Sequence, residues 1–363
     1  MIFVFIILSL ISSWIWIYYF KEIKIIGAEK VKSLLLTFSL GAIVYLINYK
    51  IGSLLNQFNY LDRNVLNQLI DSVLRKGFLS EVLKLIPIYV VYRLFKEEIN
   101  EPISIFLFFT VSALGFSFSE NIGDVISKDL KVFNERAILN TLNEIFCSSL
   151  VSFSVINFRF YSKKMSDVVL LLLLTAFLAG FYDFWLYFER LNQFGIILSI
   201  LYFMVMISIF STGLTNSINI SSDFSYLKIE GNKKIFKRII LTYFALIFIQ
   251  FVSLSIGGNL ERAFYYLLDT LWFSGIIIFI AAKRISKLKL IEGKWSHPKL
   301  ELPFSFYYSD SFNGRHAKLK LKFKGETFNE NVIDFYLKVY CSINPLSKRN
   351  SYILKSQDVF LAE

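Results

Sequence analysis

From Pro102 to Ile122 the chain runs apolar for almost its whole length and closes on Glu120 and Asn121. About 20 such residues cross the ~30 Å hydrocarbon of a bilayer as one helix. Lipid cannot satisfy backbone polar groups, so a helix is the form this run must take. A carboxylate near the centre of such a span costs roughly 2.5–3.5 kcal/mol on insertion scales. An acid kept there points to function, and its partners are the first thing to find.

The run is one of nine. Windows of comparable length fall at Ile2–Phe20, Val31–Asn48, Phe78–Phe95, Pro102–Ile122, Ala137–Ile156, Val168–Phe188, Phe194–Leu214, Ile239–Ile256 and Phe264–Ala282. The third carries Glu81, Lys84 and Arg93. The first has neither a basic n-region nor a small-residue cleavage site, so it is expected to remain as a span. With 55% hydrophobic residues and 39 phenylalanines, a soluble core cannot enclose the apolar surface. The expected fold is an all-α polytopic membrane protein of about nine transmembrane helices with a small cytoplasmic C-terminal α+β domain.

Basic residues orient it. With the N-terminus outside, the inner loops hold 18 Lys and Arg and the outer loops 9, which favours N-outside and C-inside. The net charge of +11 reads as this bias, with no nucleic-acid partner implied. Residues 1–50 form two N-terminal spans, 51–77 an extracytoplasmic amphipathic segment, 78–188 a four-helix core, 189–287 three further spans and 288–363 the cytoplasmic appendage. Within the second segment, Leu54, Phe58, Leu61, Val65, Leu69 and Val73 recur at helical spacing. That suits a helix lying in the interface or packed on the outer mouth of the bundle. In the tail, His316 to Gly325 alternates like a strand, and Asn331 to Ile343 reads as a second strand or a short helix. Cys147 lies in an apolar run and Cys341 in the tail, so they are not expected to pair. The two histidines, His297 and His316, are both in the tail.

The topology brings four acids to one depth. Glu81, Glu120, Glu144 and Asp183 lie on four successive spans, within roughly 3–11 Å of the outer edge at ~1.5 Å per residue. Lys84 follows Glu81 at i+3 on the same face, and Asp269 is a weaker addition. Acids at helix ends can snorkel to headgroups, but Glu144 sits about two turns in. An acidic cluster with one lysine suits a water-filled site, in which carboxylates act as bases.

Leu79-Ser80-Glu81-Val82-Leu83-Lys84, then Ala113-Leu114-Gly115-Phe116-Ser117-Phe118-Ser119-Glu120-Asn121, resembles the PrsW family of intramembrane proteases, related to the CAAX amino-terminal protease superfamily. That family's pattern is Glu-Glu-x-x-Lys, Phe-x-x-x-Glu and His-x-x-x-Asp on successive helices. Phe116 and Glu120 match the second motif in full, with Asn121 after them. Glu81 and Lys84 match the first, with Ser80 at its first glutamate. Asp183 matches the third, with Ala179 in place of its histidine, and Glu144 falls where an intervening histidine is common. The resemblance covers Phe78 to Phe188. The Glu97, Glu98 and Glu101 cluster lies a membrane thickness away and reads as a solvated turn before Pro102.

The resemblance implies hydrolysis of a membrane-anchored protein substrate at the outer face of a cell membrane, bacterial by the family's distribution. Glu81 or Glu120 would be the base, Lys84 would stabilise an oxyanion or tune the acids, and Glu144 would replace a histidine as acid or ligand. No cofactor is required by the sequence, although four carboxylates are suited to a hard divalent ion. Two alternatives stand beside it: an inactive relative that binds transmembrane segments, and a transporter using the acids for cation or proton coupling.

Overall fold

The computed structural model describes residues 2–23, 25–27, 30–57, 65–127, 130–161, 164–187, 195–221, 232–257, 260–286, 288, 321–323, 326–328 and 359–361. Its long helices are α1 (Ile2–Glu22), α2 (Val31–Gln57), α6 (Pro102–Ser127), α7 (Leu130–Tyr161), α8 (Met165–Tyr187), α9 (Gly195–Asn219), α10 (Asn232–Gly257) and α11 (Leu260–Ile285). Between α2 and α6 run α3 (Val65–Ser72), a π-helical stretch (Val73–Leu79), α4 (Ser80–Leu83) and α5 (Leu85–Leu94).

Of the nine windows read from the sequence, seven are helices long and apolar enough to cross a membrane among the described residues. The first, α1, is helical over 21 residues but is not among the seven. The third is broken. Pro87 has no N–H for the carbonyl four residues back, and the α4–α5 junction falls at Lys84. On its other side, the π-wound stretch before Ser80 leaves carbonyls for Ser80 Oγ, which donates to Lys76 O and to Gly77 O (3.0 Å). The span that carries Glu81 and Lys84 is therefore irregular where they sit.

The amphipathic helix expected over Leu54–Val73 is divided. Leu54 belongs to the end of α2, α3 begins at Val65, and 58–64 lie outside the described residues. On α3, Val65, Leu66 and Ile70 are exposed, consistent with an apolar face turned to lipid. In the tail, β1 (Leu321–Phe323) lies between β2 (Glu326–Phe328) and β3 (Val359–Leu361), both antiparallel to it. The rest of the expected strand over His316–Gly325, the Asn331–Ile343 element, Cys341, His297 and any helix completing an α+β appendage lie outside the described residues.

The bundle is built around α6, buried along most of its length and packed on α1, α2, α7 and α9. Being apolar all round suits a helix with neighbours on every side. Two crossings depend on the absence of a side chain. A Cβ at Gly115 would lie 2.0 Å from Phe38 O of α2. Likewise, a Cβ at Gly180 of α8 would lie 2.3 Å from Val73 Cα. Small residues let helices approach backbone to backbone, and that close contact holds a membrane bundle together. The second crossing presses the broken span against α8. Outward-facing Leu35, Leu170, Leu201, Phe248 and Trp272 are exposed, as lipid-facing positions should be.

Candidate active site

Lys84 stands where the broken span faces α7. Its Nζ donates to Glu81 Oε1 and to Glu144 Oε2, both at 2.5 Å. All three are almost completely buried. Phe116, one turn before Glu120 on α6, turns its ring to the same ammonium at 5.3 Å from the centroid, a cation–π contact. Ser112 Oγ donates to the Lys84 carbonyl at 3.2 Å.

A second ion pair lies beside the first. Lys76, in the π-helical stretch, donates from Nζ to Glu120 Oε1 at 2.7 Å, and its charge also interacts with Asp183 and Asp124. Glu120 is 3% exposed, and its Oε2 is buried without a hydrogen-bond partner. Unpaired buried oxygens are rare, and an ordered water or a ligand commonly explains them. Glu120 also lines a cavity whose empty space, open solvent at its mouth included, is about 470 Å³. Lys76, Glu120, Glu144, Asp124 and Asp183 line it, with Asn140 and Asn143 of α7 and Ala179 and Tyr182 of α8.

The structure thus brings Glu120, Glu144 and Asp183 to one cavity. Glu81 and Lys84 are not on its wall and reach it through Glu144. Ser80 holds the backbone carbonyl of Lys76 rather than touching the cavity. Asn121 Nδ2 donates to Thr141 Oγ1 at 3.2 Å, within a hydroxyl cluster with Ser117 and Ser12. This ties α6 to α7 just behind Glu120. The Asp269 side chain lies outside the described residues.

The family model for PrsW intramembrane metalloproteases matches residues 29–211, half of the chain. This chain belongs to the PrsW family. Its match reaches beyond the Phe78–Phe188 core, from the approach to α2 into α9. No curated protein and no solved structure matches the chain. As a PrsW-family member with seven described helices fit to cross a bilayer, it is a multi-pass membrane protein of an intramembrane protease family.

The family's description implies a metal ion, and the residues of this PrsW-family site do not fit one. Among the described residues no three of His, Cys, Asp and Glu converge as ligands. Glu81 and Glu144 are already joined by the Lys84 ammonium, and Glu120 Oε1 is held by Lys76. A divalent ion needs several oxygen or imidazole ligands on one point, and here ammonium groups hold that position.

Sequence reasoning missed Lys76, which it counted as an outer-loop cation, and it missed Asp124, Asn140, Asn143 and Tyr182. Lys76 falls before the apolar window, and only the π-helical winding and the Gly180 crossing bring it to Glu120. Asn140, Asn143 and Glu144 stand at i, i+3 and i+4 in an otherwise apolar run, one polar stripe on a helix. That spacing was available in the sequence.

Proposed function

We propose that this protein is an endopeptidase that hydrolyses a peptide bond of membrane-anchored proteins, using Glu120 as the general base on a water. The observation that carries the reading is the Glu120 carboxylate on the cavity lining, with Oε1 held by Lys76 and Oε2 buried without a partner. Water seated there gives its proton to Oε2 while its oxygen adds to the peptide carbonyl carbon. Collapse of the tetrahedral adduct breaks the C–N bond, and the proton passes from Glu120 to the departing nitrogen. Carboxylate and amine products result, with no oxidant or further reactant. The fixed Lys76 ammonium offsets the charge that develops.

Glu144 supplies the inner wall and is held in place by Lys84, with Glu81 as counter-charge behind it. Asp183 adds negative charge across from Lys76. The excess of basic residues in the inner loops supports an N-terminus outside and a site toward the outer face of a cell membrane.

The test is cleavage of single-span membrane proteins by the purified protein, with and without a chelator. Glu120→Gln should lower the rate by roughly 10²–10⁴-fold, the usual contribution of a positioned base. Glu81→Gln should lower it less. Chelation should leave the rate unchanged. A wild type that binds these segments and cleaves none would replace this reading with that of an inactive, segment-binding relative.

A further inference from the structure

We propose that Asn140 and Asn143 are the donors that bind the carbonyl oxygen of the scissile bond, with Tyr202 as the residue that positions Asn143. The inference rests on the peptidase reading and names groups that neither the family match nor the motifs assign.

An acyl-transfer site needs donors fixed where negative charge forms on oxygen. Lys84 is the obvious cation, but it is shared between Glu81 and Glu144, and Lys76 is held by Glu120. Helix α7 adds neutral donors to the same cavity. Asn140 and Asn143 lie one turn apart on α7, and both line it. Asn140 Nδ2 is buried with no acceptor. Asn143 is fixed from behind: its Oδ1 accepts from Tyr202 OH at 2.5 Å and from the Cys147 thiol at 3.7 Å. With that oxygen engaged, Nδ2 is the atom left for the cavity. Tyr202 is itself held firmly, stacked on Tyr182 at 5.0 Å and against Trp185.

The cavity therefore shows unpartnered donor capacity on α7 and the unpartnered acceptor Glu120 Oε2 on α6. This is the complement of a peptide carbonyl and an attacking water. When substrate enters, its carbonyl oxygen takes the amide donors and leaves that water to Glu120. The electron pair of the C=O π bond moves onto this oxygen as water adds, and it returns as the C–N bond breaks.

The experiment measures kcat and KM for a single-span substrate that the full-length protein cleaves, with thermal stability recorded in parallel. Asn140→Ala and Asn143→Ala should each lower kcat by roughly 10²–10³-fold, as loss of an oxyanion donor does. KM should change by no more than about twofold, since the contact strengthens in the transition state. Asn140→Ala should not lower the melting temperature, because it removes an unsatisfied donor. Asn140→Asp, of the same shape with an acceptor in place of the donor, should also be folded and slow. Tyr202→Phe should lower kcat by about 10-fold or more through misplacement of Asn143. It should have no further effect in an Asn143→Ala background.

Asparagine variants that keep kcat while wild type cleaves would overturn this inference alone. So would activity lost only in step with melting temperature, or an effect confined to KM. A wild type that cleaves nothing overturns the peptidase reading, and this inference with it.

Discussion

Replacing Lys84 with methionine removes the one positive charge between two buried carboxylates. Glu81 Oε1 and Glu144 Oε2 each lie 2.5 Å from its Nζ, so the two oxygens are at most about twice that distance, 5 Å, apart. At an effective dielectric of ~20, two like charges at ~5 Å repel by about 3 kcal/mol. Both ion pairs are lost as well, and removal of one partner from a buried ionic group generally costs about 3–5 kcal/mol. The expected loss for Lys84→Met is therefore about 3–5 kcal/mol, read by reversible unfolding in mixed micelles. The repulsion makes a second, sharper expectation. Glu144→Gln added to Lys84→Met should recover up to about 3 kcal/mol, although it removes a polar anchor from the native site. A Lys84→Met protein within about 0.5 kcal/mol of wild type would refute the reasoning, because that is the size of an ordinary surface substitution. So would a double variant weaker than the single one.

Two further substitutions test the frame around the site. Gly180→Ala places a Cβ among the backbone atoms of Val73 and Ser72, which cannot rotate aside, so it should destabilise by about 1–3 kcal/mol as overpacking does. Gly275→Ala, with nothing within 4 Å of the added carbon, should be neutral or gain up to ~1 kcal/mol of helix propensity. Equal melting temperatures for the pair would count against the close crossing. Thr141→Val leaves Ser12, Ser117 and Asn121 short of their shared partner. It should cost about 1–3 kcal/mol, and an unchanged melting temperature would show that the hydroxyl cluster does not tie α6 to α7.

Much of this was legible because a bilayer permits few solutions. Apolar length alone located the helices from α6 onward, and equal depth on successive spans put Glu120, Glu144 and Asp183 together, as the one cavity they line bears out. What the sequence obscured follows from local backbone physics. The third window looks like a span with awkward charges, yet Pro87 and the π-helical stretch break it into short pieces. Lys76 was invisible as a site residue for the same reason: on a straight helix its relation to Glu81 gives no hint of Glu120. The unobserved Asn140–Asn143 stripe is different. It was present as a helical spacing and was passed over because asparagines titrate at no pH and match no motif.

The family's metal and this chain's lysines are two answers to one electrostatic demand. Carboxylates packed this closely in an apolar bundle require compensating positive charge, since an unpaired buried carboxylate is prohibitive. A divalent ion meets the demand where neutral imidazoles complete its coordination, and both histidines of this chain lie in the tail, at His297 and His316. Lys84 and Lys76 meet it here, and in doing so they engage one oxygen each of Glu81, Glu144 and Glu120. The consequence for chemistry is direct. In the peptidase proposed above, hydrogen-bond donors take the part a Lewis acid would play at the carbonyl, and a carboxylate activates the water. The proposed reading gives those two roles to Glu120 and to the α7 amides, which lie on different helices and line one cavity.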